Sequence, residues 1–87
     1  MKTKIDYLKN LEEGHKTLTE EYAKEVCEVF NVPFNKKLSK KQGVRNLDLL
    51  YYLAKKLNID AKNDFNGYGF QAEFVANGIK KVINNNE

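Results

Sequence analysis

The sequence holds little of what cross-links, anchors or equips a chain for chemistry. It has one cysteine, Cys27, which excludes an internal disulfide, so nothing ties the chain to an oxidising compartment. It has one histidine, His15. One thiol and one imidazole without clustered acids cannot complete a tetrahedral metal site, so no metal and no cofactor is expected. No run approaches the roughly eighteen apolar residues of a membrane span, and Met1 to Asn10 lack the apolar stretch of a signal peptide. The expectation is a cytoplasmic protein without membrane contact. No glycine-rich turn follows a strand, so no phosphate loop is read.

What is present is a folding sequence. The 87 residues are 41% hydrophobic, and the apolar positions recur with a period instead of scattering. A chain of this length makes one domain, 1–87, and buries only about 60–65% of its unfolded surface. Residues 84–87 are expected to fray. The formal net charge is +3, from 15 basic and 12 acidic residues. That balance allows contact with nucleic acid or an acidic protein without demanding either.

At 100 degrees per residue four amphipathic helices emerge. Ile5, Tyr7, Leu8 and Leu11 share one side of a helix over 4–13, with Thr3 placed to cap it and Gly14 to end it. Leu18, Tyr22, Ala23, Val26, Cys27, Val29 and Phe30 fill half of a second wheel over 18–30. Thr17 or Thr19 would cap that helix, and Asn31-Val32-Pro33 would break it. Asn46 reads as the cap of a third helix, 46–58. There Leu47, Leu49, Leu50, Tyr51, Leu53, Ala54 and Leu57 cover so wide an arc that the helix should sit centrally, with Tyr52 toward water. Tyr68, Ala72, Val75, Ala76, Ile79, Val82 and Ile83 line a fourth helix over 69–83, in which Gly78 marks either a close approach or a break. No alternating strand pattern competes. The reading is therefore an all-α domain of four to five short helices around an apolar central one.

The undecided stretch is 33–45. Pro33 suits a first helical position, and Phe34 and Leu38 lie four apart, so a short helix over 33–42 and an ordered basic loop are both open. Lys36, Lys37, Lys40, Lys41 and Arg45 fall within ten positions that contain no acid. Cations at this density attract phosphates by releasing counterions, although a solvated face is the plainer reading. The stretch holds few base-reading side chains, only Asn35 and Gln42 beside the lysines.

A second feature is Gly67-Tyr68-Gly69-Phe70, which matches four consecutive positions of the signature of RNA-recognition domains. The match breaks at Gln71 and Glu73. The segment then reads as core-plugging aromatics, or as a loop with Tyr68 and Phe70 as partner anchors, with Tyr52 a third candidate. Cys27 lies in the apolar arc of its helix and reads as a core thiol. Glu12, Glu13, Glu20 and Glu21 read as solvent-facing, so no catalytic residue is assigned.

Leu18-Thr19-Glu20-Glu21, Asn31-Val32 and Gly43-Val44-Arg45-Asn46 stand in the order found in lambda-repressor-like helix-turn-helix domains, which residues 4 to 60 resemble in arrangement. The resemblance implies a recognition helix before Gly43, with Asn35, Lys36, Ser39 and Lys40 facing the major groove. Taken together, the expectation is a non-enzymatic DNA-binding accessory or regulatory protein acting through 33–45. The alternative is a small inhibitor or adaptor that docks the same segment and its aromatics on an acidic protein surface. A homodimer completing its core is a third reading.

Overall fold

The structure is a computed structural model that describes residues 3–13, 16–59 and 71–86, with side chains in the last helix over 72–83. His15, Tyr68 and Phe70 lie outside the described residues, as does the connector before the last helix.

The first helix, α1 (Lys4–Leu11), starts where Thr3 and Asp6 form a reciprocal capping box. The Thr3 hydroxyl accepts from the Asp6 amide, and the Asp6 carboxylate accepts from the Thr3 amide at 3.0 Å. That backbone bond, seconded by the Thr3 hydroxyl, holds the Asp6 carboxyl below its ordinary range. Tyr7, Leu8 and Leu11 are buried, as the wheel requires.

Helix α2 (Glu20–Val29) is capped by Thr19, whose hydroxyl accepts from the Tyr22 amide, while Glu20 and Glu21 suit its dipole. Thr17, the other candidate cap, is in a strand. The helix ends at Val29, two residues before the expected breaker. Asn31 takes a left-handed φ of 57°, and its amide donates to the Glu28 carbonyl while Val32 donates to that of Cys27. This is a Schellman stop made with asparagine. Helix α3 (Asn46–Lys56) ends the same way, with Asn58 at φ 58° and Ile59 donating to the Ala54 carbonyl. Helix α4 (Gln71–Asn86) runs through buried Gly78 without a break and stays helical beyond 83.

The all-α expectation is corrected by a small sheet. Three short strands, β1 (Thr17–Leu18), β2 (Ser39–Lys40) and β3 (Gly43–Arg45), pair antiparallel in the order β1-β3-β2. Strands of two or three residues are too short to show an alternating pattern in sequence. The fold is thus mostly helical, with the sheet wedged between α2 and α3.

Helix α3 packs against α4, β3 and α1, and α1 packs against α4. Leu49, Leu50 and Leu53 are fully enclosed there, with Ile79 and Val75 of α4, Leu8 and Leu11 of α1, Val26 of α2 and Val44 of β3. Tyr51, read as part of the apolar arc, instead stands 45% exposed. Tyr52, read as water-facing, is half-buried, and its hydroxyl donates to the Pro33 carbonyl at 2.5 Å. The two tyrosines exchange roles because the segment after α2 covers the flank of α3 that carries Tyr52.

Asn46 is not a cap. Arg45 precedes the helix without a side-chain bond, and the Asn46 side chain is 1% exposed in the core. Its Nδ2 donates to the Leu11 carbonyl at 2.7 Å and its Oδ1 accepts from the Lys16 amide at 3.0 Å. Its own amide donates to the Lys16 carbonyl at 3.0 Å. One residue thus satisfies the end of α1, extends the β1–β3 pairing and starts α3.

Candidate functional site

The basic segment folds as an extended chain, one helical turn and a hairpin. From Val32 to Asn35 the chain is irregular. The Asn35 side chain then accepts from the Lys37 amide at 3.0 Å and opens a single 3-10 turn, Lys36–Leu38. Phe34 and Leu38 pack against the core from this turn, and Lys36 and Lys37 face outward. The recognition helix that a helix-turn-helix arrangement requires over 33–42 is therefore not formed. A three-residue turn cannot lie along a groove as a helix does.

After the turn, β2 and β3 form a hairpin closed by Lys41 and Gln42, with Ser39 opposite Val44 and Lys40 opposite Gly43. On the other side of β3, Leu18 lies opposite Val44 and Thr17 opposite Arg45. Directly opposed residues share a face of the sheet, so two sets separate. Leu18, Ser39 and Val44 point inward. Thr17, Lys40, Gly43 and Arg45 point outward, and the two cations there are exposed.

Gly43 makes this arrangement fit. Its φ is +125°, and a Cβ at this position would collide with the Leu18 carbonyl oxygen and crowd the Thr17 methyl. Only glycine lets β1 lie this close to β3.

The inner set anchors the hairpin to α2. The Ser39 hydroxyl donates to the Glu20 carboxylate at 2.6 Å. Lys24 is 3.6 Å from the same group. The Ser39 bond first, and then the charges of Lys24 and Lys36, hold the Glu20 carboxyl below its ordinary range. Glu20, read as solvent-facing, is half-buried and in use.

Of the candidate contact residues, the structure brings Lys40, Lys41 and Arg45 together around the hairpin tip, with Lys36 and Lys37 on the turn before it. Among the described residues none of these five makes an ion pair within 4.0 Å. Ser39 and Asn35 are set apart from them, because the Ser39 hydroxyl is engaged with α2 and the exposed Asn35 side-chain oxygen caps the Lys36–Leu38 turn. Tyr52 is taken by Pro33 and by the Lys56 ammonium, 5.7 Å from its ring centre.

The reading from sequence missed Thr17, which sits beside Arg45 across the sheet. It also missed the reason for Gly43. Thr17, Lys40, Lys41, Gln42, Gly43 and Arg45 border an open concavity of about 380 Å³. The signal that points to it is a glycine within a basic run, flanked by Val44 and facing another short apolar-polar pair, Thr17-Leu18.

Elsewhere Cys27 is buried, and burial pushes its thiol up. Among the described residues no group of three or more His, Cys, Asp or Glu side chains is placed to hold a metal ion. Nor is any helix long and apolar enough to cross a membrane. A cluster of exposed cations on and beside a hairpin attracts anionic groups. Comparison with family models, with curated proteins and with solved structures finds no match to this chain, so its functional reading rests on its own geometry.

Proposed function

We propose that this chain is a non-enzymatic nucleic-acid-binding accessory or regulatory protein that lays its β2–β3 hairpin against the phosphate backbone. The observation that carries the reading is the set of five exposed cations, Lys36 and Lys37 on the 3-10 turn and Lys40, Lys41 and Arg45 on the hairpin, none of which makes an ion pair among the described residues. A two-stranded ribbon fits the width of a major groove, as a helix does. The hairpin therefore supplies the element that the missing recognition helix would have supplied. Backbone contact is the main mode, because the outward side chains are mostly lysines, which meet phosphates, and the Ser39 hydroxyl is engaged with Glu20.

Fluorescence anisotropy with a labelled duplex of about twenty base pairs tests this. If four or five phosphates are neutralised, log K should fall with log salt at a slope of about −4. Replacing Lys36, Lys37, Lys40 and Lys41 together by alanine should abolish binding at physiological salt. Unchanged binding by that variant would overturn the proposal. Capture of one stoichiometric acidic protein, with no duplex bound at any salt, would replace it by the docking-module reading.

A further inference from the structure

The outward face of the sheet is more than a patch of charge. The register sets Lys40 opposite Gly43 and Arg45 two residues further along the same strand face. Residues so related on neighbouring strands lie roughly 7–8 Å apart, their Cβ atoms somewhat closer. Two long cationic side chains at that separation can converge on one small anion. Lys41 stands at the rim in the turn, and Thr17 forms the far wall beside Arg45. Gly43 borders the hollow where β1 lies closest to β3, and a side chain there would force the two strands apart. Among the described residues no carboxylate borders the hollow, which is lined by Thr17, Lys40, Lys41, Gln42, Gly43 and Arg45.

We infer that this hollow is a seat for a single phosphomonoester group, with Arg45 as its fork and Lys40, Lys41 and Thr17 as supporting donors. The inference rests on the nucleic-acid reading for its biological source and on the hollow alone for its chemistry. A guanidinium offers two parallel N–H bonds to two phosphate oxygens, which a lysine cannot do. Arg45 is the chain's one arginine among 15 basic residues, and it occupies the middle strand of this face. Three cations around one group match the charge of a terminal phosphate, about −1.5 to −2 at neutral pH, better than the single charge of an internal diester. The occupant is thus the phosphorylated end of a strand, or a free phosphate of the same charge.

Binding of two duplexes, one with 5′-phosphate and one with 5′-hydroxyl ends, should be compared at constant ionic strength. Amide spectra should be followed as inorganic phosphate is added. The phosphorylated duplex should bind about tenfold more tightly, and phosphate should shift the amides of Gly43 and Thr17. Arg45→Lys keeps the charge but should remove the preference. Thr17→Val keeps the strand and should weaken the preference. Phosphate shifts with no duplex binding would assign the seat to free phosphate and end the nucleic-acid reading. Equal binding of both duplexes, with no amide shift in phosphate, would overturn the seat and leave that reading standing.

Discussion

Replacing Asn46 by alanine deletes the polar link on which three elements converge. The Leu11 carbonyl and the Lys16 amide would each lose the partner they have at 2.7 and 3.0 Å. Asn46 is 1% exposed, so water cannot reach in to replace the amide. The buried Leu11 carbonyl left unpaired costs about 1–3 kcal/mol and the part-buried Lys16 amide less, which gives about 1–4 kcal/mol for the two. A domain of 87 residues has a total stability of only about 4–13 kcal/mol. Urea unfolding followed by far-UV circular dichroism should therefore show a midpoint lowered by roughly 1–3 M, with the slope unchanged. Asn46→Asp supplies an internal control. Its carboxylate would face the Leu11 carbonyl, and burial raises the pKa of such a group. A group whose folded pKa lies above its unfolded value is most stabilising below the unfolded pKa, near 4, and loses that stability as pH rises through the folded value. The aspartate variant should therefore regain stability on acidification, whereas the alanine variant's deficit should not follow a carboxyl titration at this position. A midpoint shift under about 0.3 M for Asn46→Ala would refute the argument, since the bonds would then contribute nothing net.

Gly43→Ala should cost more than about 2 kcal/mol, because a side chain at φ +125° is strained and also meets the Leu18 carbonyl; a thermal melt within about 2 °C of wild type would contradict this. Tyr7 donates to Glu25 at 2.6 Å, and that bond first, with burial behind it, pushes its pKa up to about 12. This contribution to stability is complete below pH 10 and is lost as pH rises toward 12. An absorbance titration near 295 nm should show one of five tyrosines ionising late, and Glu25→Gln should bring it forward. Asp6 and Glu20 have lowered pKa values, so their contributions hold above about pH 4 and fade on acidification; Glu20→Gln should flatten part of the acid limb of a stability-against-pH curve. Alanine at Asn31 or Asn58 should cost about 1 kcal/mol by chemical denaturation, since both positions are left-handed.

The helices were legible because burial imposes a period. Tyr7, Leu8 and Leu11, then Ala23, Val26 and Cys27, then Leu49, Leu50 and Leu53, then Val75, Ala76 and Ile79 all face inward as their spacing requires. The sheet was not legible, because its strands hold two or three residues each and β1 pairs with β3 across a long stretch of chain. The turn of the hairpin, Lys41-Gln42, also lacks the Asn-Gly type of signal that marks most tight hairpins. Asn46 was legible as a polar residue before an apolar helix, a position that capping normally explains. Only the fold shows that the ends of α1 and β1 claim its side chain instead. The basic residues were identified as a group, but which of them share a face depends on the register of β3, and that register is set by Gly43.

With β3 in the centre, β1 and β2 are both edges of the sheet. An edge strand offers its unpaired amides and carbonyls to any second copy of the chain. Here that edge carries Lys40 and is followed at once by Lys41, so two hairpins approaching edge to edge would bring like charges together. The same lysines that would attract a polyanion therefore also act as gatekeepers against homotypic strand pairing. Removing them strips away both properties at once, and so does saturating them with a ligand. A charge-stripped hairpin should become concentration-dependent in its mass, and a polyanion that covers the lysines would allow neighbouring copies to stand side by side along it.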